Sequence, residues 1–218
     1  MSRIVALSAA LLMASACGGG VPITPLPEMD LALACSAPTI LAGEAVVCKA
    51  TSGLVNVGVS ASTVWTSSDP NIATSMGIGL FIGKSEGQAS LTATYAGESV
   101  SAPLTVHLQD VLRATAAAFD GSFRVGTTAT MWLQGFYGVA SASTGTLTLV
   151  ITDQTGATVS TSAPIIVPHG GDRYLISTTF TLPQGTTRVC RTGVLQIGST
   201  TLTVVPDVAL LPCIAVTP

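Results

Sequence analysis

The feature that most constrains this sequence is a period of two in its hydrophobic residues. Between residues 88 and 95, apolar and polar side chains alternate without a break, and Ala89, Leu91 and Ala93 fall on the same face. Similar alternation recurs in residues 128–133, 145–152 and 174–182. A spacing of two places one face of a strand on a core and the other in water. The sequence therefore predicts an all-β protein.

Length and turn residues divide this all-β chain in two. A chain of 218 residues is long for one small β-sandwich and suits two sandwiches of about 100 residues each. Turn signals such as Ala96-Gly97 and Gln154-Thr155-Gly156 separate the alternating stretches. We predict a boundary near residues 108–111, which gives domains at residues 29–108 and 109–218. One alternative at this boundary is a short helix, because several apolar residues have roughly helical spacing: Leu108, Val111, Leu112, Ala116 and Phe119.

The charge content excludes one class of partner. Only 9% of the residues are charged and the net charge is -3, so the chain has no basic surface to hold a nucleic acid. The low charge does not indicate disorder, because 48% of the residues are hydrophobic and they occur in short alternating runs. We expect a folded protein that binds neither DNA nor RNA.

The first sixteen residues have the pattern of a signal peptide. Arg3 supplies a positive charge, and the uncharged run at residues 4–16 is too short to span a hydrocarbon core of ~30 Å as a helix. Ala14-Ser15-Ala16 would suit an ordinary signal peptidase. Directly after it stands Cys17, and small residues before a cysteine resemble the lipobox of bacterial lipoproteins, although that motif usually has Leu, Val or Ile where this chain has Ala14. The resemblance implies cleavage before Cys17 and lipidation of its thiol.

The segment after Cys17, residues 17–28, is predicted to be a tether. Gly18-Gly19-Gly20 is flexible, and Pro22, Pro25 and Pro27 favour extended chain. Acyl chains on Cys17 would hold the protein at a membrane, with ~0.8 kcal/mol for each buried methylene. Because Gly18 stands where an Asp typically retains lipoproteins at the inner membrane, the resemblance implies the outer membrane if the cell has two.

The first domain carries a second family resemblance. The stretch VWTSSDPNIAT at residues 64–74, followed by GLFIGKSEGQASLTATY at residues 79–95, resembles the group 2 bacterial immunoglobulin-like domain over about residues 29–108. The resemblance implies a β-sandwich with Trp65 on a central strand. A ring of this size is typical of a sandwich centre, and Pro70 and Gly87 suit a turn and an unusual backbone conformation. For residues 109–218 we expect a second sandwich, also of immunoglobulin-like type.

With Cys17 set aside, four cysteines remain for this two-domain organisation. Exported proteins fold under oxidising conditions, and four cysteines allow three disulfide connectivities. The modular organisation selects one bridge in each domain, Cys35–Cys48 and Cys190–Cys213. The alternatives, free thiols or metal ligands, are weaker because the sequence has no C-x-x-C and both histidines are remote from the cysteines.

The sequence predicts no enzyme, no metal site and no cofactor. His169-Gly170-Gly171-Asp172 has a superficial likeness to the oxyanion loop of lipases, but a G-x-S-x-G elbow and alternating helices and strands are missing. We interpret these four residues as a turn between strands. His107 is interpreted as a rim or interdomain residue, and the acidic residues lack the spacing of a calcium loop.

Two non-catalytic functions remain, and the immunoglobulin-like fold does not choose between them. The first is a binding or adhesion module that recognises a glycan or a surface protein. The second is a structural spacer of an envelope assembly. Binding predicts exposed aromatic loop residues, and the candidates are Phe136 and Tyr137, which lie between two glycines, with Phe81 as a further one. The alternative is that Phe136 and Tyr137 cap the core of the second domain.

Overall fold

The computed structural model describes residues 30–53, 55–57, 62–204 and 212–218, and in these ranges the protein is all-β. This confirms the predicted fold class. The strands are β1 (Leu31–Cys35), β2 (Thr39–Leu41), β3 (Ala45–Ser52), β4 (Val55–Asn56), β5 (Val64–Ser67), β6 (Ala73–Ser75), β7 (Leu80–Gly83), β8 (Gly87–Tyr95), β9 (Glu98–His107), β10 (Val111–Gly121), β11 (Thr128–Asp153), β12 (Thr158–Thr161), β13 (Ile165–Thr181), β14 (Arg188–Ile197), β15 (Thr200–Val204) and β16 (Cys213–Ala215).

Strands β1 to β9 form a sandwich with the strand order of an immunoglobulin domain. One sheet has the order β1-β3-β7-β6, with β4 beside β3, and the other has the order β2-β9-β8-β5. If the strands β1, β3, β5, β6, β7, β8 and β9 are lettered A to G, the sheets are A-B-E-D and C-F-G, which is the immunoglobulin arrangement. Strand β2 adds a short parallel pairing to β9.

The core of this first domain follows the alternation of the sequence. Ala89, Leu91 and Ala93 on β8 are buried between the sheets. Trp65 on β5 is buried there too, and its ring meets the ring of Phe81 edge to face with centroids 6.0 Å apart. At the end of β8, Ala96 and Gly97 have positive φ values of 51° and 93°, which is typical of a two-residue hairpin turn.

The second domain is built on one long strand that crosses between its two layers. The first half of β11 pairs with β10 on one side and with the second half of β13 on the other. The second half of β11 pairs with β14 and β12, and β14 also carries β15 and β16. Strand β11 therefore contributes to both layers: its first half lies with β10 and β13, and its second half lies with β12, β14, β15 and β16. Side chains that alternate along β11 fill the core from both layers: Ala129, Met131, Leu133, Leu147, Leu149 and Ile151.

The alternative helix at the domain boundary does not form, because residues 111–121 are strand β10. The strand has a bulge between Ala114 and Ala116, where the register to β11 shifts by one residue. Leu112, Ala114 and Ala117 all pack on the core of the second domain. The residues with helical spacing do not share one buried face: Leu112 lies in this core, Leu108 packs against the core of the first domain, and Phe119 is 44% exposed.

A buried arginine connects the two layers of the second domain. Arg191 on β14 is fully buried, and its Nη1 donates hydrogen bonds to the carbonyl oxygens of Ala118 on β10 and Trp132 on β11. Burial lowers the pKa of this guanidinium. A charge in the interior is tolerated only with hydrogen-bond partners, so these contacts fix how β14 faces the opposite layer.

Both disulfides join cysteines that face each other on neighbouring strands. Cys35 on β1 pairs in register with Cys48 on β3, and Cys190 on β14 with Cys213 on β16. This is the connectivity that the two-domain organisation selects. Each bridge lies within one sheet and fastens a short strand at its margin, whereas neither joins the two layers of a sandwich.

We predict that each disulfide stabilises only its own domain. Replacing Cys35 and Cys48 by serine should lower the free energy of unfolding of the first domain by about 3 kcal/mol, because the open loop regains chain entropy. The Cys190–Cys213 disulfide closes a longer loop than Cys35–Cys48, with a sequence separation of 23 instead of 13 residues. Its removal by Cys190→Ser and Cys213→Ser should therefore destabilise the second domain slightly more. Denaturant unfolding followed separately in each domain measures both effects. An equal loss in both domains from one pair of substitutions would contradict this prediction.

Candidate functional site: the joint between the domains

The predicted binding tip is wrong, because Phe136 and Tyr137 are buried in the middle of β11. Phe136 is 9% exposed and Tyr137 is 5% exposed. The flanking glycines allow close approach of other chain segments and do not form a turn. A Cβ at Gly135 would lie 1.7 Å from the carbonyl oxygen of Arg113, and one at Gly138 would lie 2.3 Å from that of Gln109. Tyr137 belongs to the core of the second domain, as the alternative proposed.

Two further sequence interpretations are corrected. Phe81, the third aromatic candidate, is fully buried in the first core. Residues 169–172 do not form a turn, because they lie inside β13 and residues 170–172 pair with β11. Gly170 does have a positive φ, 109°, and the register between the two strands shifts just beyond it, between Val139 and Thr144. Gly170 and Gly171 thus lie at an irregular position within β13.

Cys17 lies outside the described residues, so its lipidation stays a prediction.

The buried residues around Phe136 and Gly171 mark the joint between the two domains. The joint begins with the loop at Ala42 and Gly43, which is fixed within the first domain. The amide of Ala42 donates to the carbonyl oxygen of His107 at 2.9 Å, and that of Gly43 to the carbonyl oxygen of Gly83 at 2.8 Å. Both residues are buried. The first domain therefore presents a rigid backbone surface to the second.

Gly171 of β13 sits directly against this loop. A Cβ at Gly171 would lie 2.3 Å from the carbonyl carbon of Ala42 and 2.5 Å from the nitrogen of Gly43, so no other residue fits here without movement. The amide of Gly171 donates a hydrogen bond of 2.7 Å to the carbonyl oxygen of Lys84. The domains thus meet backbone to backbone.

An ion pair lies beside this contact. Lys84 Nζ of the first domain is 2.5 Å from Asp172 Oδ2 of the second, and both side chains are partly exposed. Exposed pairs of this kind contribute about 0–1 kcal/mol. Close backbone packing and the Gly171 hydrogen bond therefore determine the geometry, while the ion pair adds orientation.

The linker between the domains has only three residues, from Leu108 to Asp110. Asp110 fastens it to the second domain, because its Oδ1 accepts hydrogen bonds from the amides of Ala140 at 2.6 Å and Ser141 at 3.0 Å. Partial burial tends to raise the pKa of Asp110, but the hydrogen bonds from Ser141 and Ala140 outweigh it and lower this pKa, with a smaller contribution from His169. The carboxylate form therefore stabilises the linker.

Two open clefts flank the joint. The larger, about 330 Å³, contains Lys84, Asp172, His169, Asn71 and Tyr137 among its lining residues, although most of its lining surface is apolar. Burial, with the nearby charge of Asp172, raises the pKa of Tyr137, so this phenol stays neutral. The second cleft, about 260 Å³, lies along Phe136 and Glu44. These clefts offer hydrogen-bond donors and acceptors from both domains.

Over the ranges that the structure describes, no three His, Cys, Asp or Glu side chains group closely enough to hold a metal ion. Across those ranges, no helix is long and apolar enough to cross a bilayer. The predicted absence of catalysis stays an expectation.

Comparison with known proteins identifies no family. No protein-family model matches the sequence, and no curated protein is significantly similar. Similar solved structures include domains 4 and 5 of the S-layer protein SbsC, at 18% identity, with 87% of this chain and 98% of that chain covered and a TM-score of 0.29. Another is the BSP domain of a biofilm associated protein, at 12% identity, with 84% and 29% covered and a TM-score of 0.25. These scores carry no argument about function.

We predict that Gly171→Ala uncouples the domains without unfolding either of them. The added methyl group collides with the backbone of Ala42 and Gly43, which belongs to the other domain. The distribution of interdomain distances, measured by spin-label spectroscopy or small-angle scattering, should broaden. Ser177→Ala, an exposed change on the same strand, serves as the control and should leave the distances as in the wild type. An unchanged distribution in Gly171→Ala would show that the contact does not orient the domains.

We also predict an acid-sensitive contribution from Asp110. The pKa of Asp110 is lower in the folded protein than in the unfolded chain, where it is about 3.9. Its contribution to folding stability is therefore fully present above the unfolded pKa and is lost as the pH falls through the folded pKa. Asp110→Ala should reduce stability by about 1 kcal/mol at neutral pH and much less at low pH. Unfolding curves across this pH range measure the difference. Glu98→Ala, an exposed acid, controls for the lost charge, and an equal effect of both variants would contradict a linker clamp.

Proposed function

We propose that this chain is a non-catalytic bacterial envelope protein whose two immunoglobulin-like domains act as a stiff spacer, held at a membrane by a lipid on Cys17. The observation that carries the spacer role is the joint. A linker of three residues, the fit of Gly171 against Ala42 and Gly43, and the bond from Gly171 to Lys84 all restrict relative motion. Domains of one chain usually move unless such contacts prevent it.

The proposed compartment is supported by two independent features. The pattern of residues 1–17 is that of an exported, lipidated chain, and two disulfides fit an oxidising environment outside the cytoplasm. We place the protein at the outer membrane if the cell has two membranes, because Gly18 is not the Asp that typically retains lipoproteins at the inner one.

A second candidate function is binding or adhesion to a glycan or a surface protein. Phe136 and Tyr137 no longer support it as an exposed tip. The cleft of about 330 Å³ favours it instead, because Lys84, Asn71 and His169 place hydrogen-bonding groups in one mostly apolar concave surface. Binding there would depend on the same joint that makes the spacer stiff.

The lipid anchor is tested by Cys17→Ser. This variant should move from the membrane fraction to the soluble fraction, because it has no thiol to acylate, and the wild-type amino-terminal peptide should carry the mass of acyl chains. Ser15→Ala keeps a small residue before Cys17 and should stay with the membrane. A Cys17→Ser protein that remains on the membrane, together with unacylated wild type, would refute the anchor.

Protease treatment of intact cells bearing the wild type separates the two functions. An adhesion module must lie at the cell surface and should be cleaved, whereas a spacer within the envelope is protected. Cleavage by added protease would therefore favour adhesion over an internal spacer.

A further inference from the structure

The first sandwich has one end at the joint and a second end opposite to it, which is called the far end. Strand β3 starts next to the joint at Ala45 and runs away from it to Ser52. Strand β6 starts at Ala73, which pairs with Gly83 beside the joint, and strand β8 ends at Tyr95. The turns after these three strands, at residue 53, residues 76–79 and residues 96–97, define the far end. The middle turn reaches back to Cys48, halfway along β3, whose amide donates a hydrogen bond to the carbonyl oxygen of Gly79.

Four of the nine large hydrophobic side chains that are exposed in the described residues lie at this far end. Val55, Met76 and Ile78 lie on or directly beside its turns and are 65%, 58% and 74% exposed, and Val64 next to the β8–β9 hairpin is 57% exposed. Ile78 also has a φ of 45°, which a β-branched residue adopts only with strain. Large apolar side chains grouped on one exposed surface are typical of an interaction site.

The tether enters the first domain at the same far end. Leu31, the first residue of β1, pairs with Ser52, and the carbonyl oxygen of Asp30 accepts a hydrogen bond of 3.3 Å from the amide of Gly53. Twelve residues, 18–29, separate Cys17 from Asp30. Even a fully extended chain of this length spans only about 45 Å. An anchor on Cys17 therefore keeps the far end close to the membrane.

We infer that the far end of the first domain touches the bilayer surface through Val55, Val64, Met76 and Ile78, as a second membrane contact beside the lipid on Cys17. The inference rests on the proposed lipid anchor. A short tether raises the effective concentration of this end at the bilayer, so a weak apolar contact suffices. The charges nearby, on Asp30, Lys49 and Glu98, sum to -1 and do not attract anionic lipid, so the contact is apolar and should not require anionic lipid.

The test places an indole at the far end and measures its distance from the acyl chains. Lipidated full-length Ile78→Trp is reconstituted into phosphatidylcholine vesicles that contain brominated acyl chains, which quench tryptophan at short range. Leu175→Trp on β13 of the second domain is the matched control, because Leu175 is 63% exposed but lies outside the first domain. Met76→Trp is a second variant in case the strained position 78 does not accept the larger ring. Signal from the native Trp65 and Trp132 is subtracted with the wild type.

The expected result is quenching of the indole in Ile78→Trp or Met76→Trp that is at least roughly twofold stronger than in Leu175→Trp. Vesicle flotation shows whether a negative result comes from the far-end contact or from the lipid anchor. If the protein floats with the vesicles but the far-end indole is not quenched more than the control, the membrane contact is refuted and the anchor stands. A blue-shifted, unquenched indole would show that the tether or another chain covers this end, which also refutes the inference. Loss of flotation refutes the anchor and the inference with it.

Discussion

The contact between Gly171 and the loop at Ala42 and Gly43 is the constraint on which the arrangement of the two domains depends. It works because Gly171 has no side chain, so its backbone packs against Ala42 and Gly43 and its amide reaches the carbonyl oxygen of Lys84 at 2.7 Å. The loop is held in turn by the ends of β7 and β9. The orientation of the second domain is therefore set by the backbone of the first sandwich, and only weakly by the Lys84–Asp172 pair.

The strands were predictable because their signal is local. Alternation at a period of two depends on which face of a single strand meets a core, and Ala89, Leu91, Met131, Leu133 and Ile176 are all buried as this pattern requires. Trp65 likewise lies in the sandwich centre. The disulfide connectivity followed once two domains were assumed, since each cysteine pair lies within one of them.

The joint was not predictable, because it depends on residues that are far apart in sequence. Glycine serves turns and close backbone approach alike, and the sequence alone does not show which. Gly135 and Gly138 flank the predicted tip at Phe136 and Tyr137, yet β10 and the linker pack closely against them. Gly170 and Gly171 carried the same ambiguity. Asp110 was missed as well, because its partners, the amides of Ala140 and Ser141, lie where β11 bends.

The position of the disulfide in the first domain has a mechanical consequence. A pull along the tether reaches β1 first, and a strand at a sheet margin can peel away one hydrogen-bonded pair after another. Cys35 is the last residue of β1 and is bonded to Cys48 on the interior strand β3. Peeling therefore stops at a covalent bond before the force reaches Trp65 and the rest of the core. The load then passes into β3, which begins beside the joint, so the chain can bear tension while both domains stay folded.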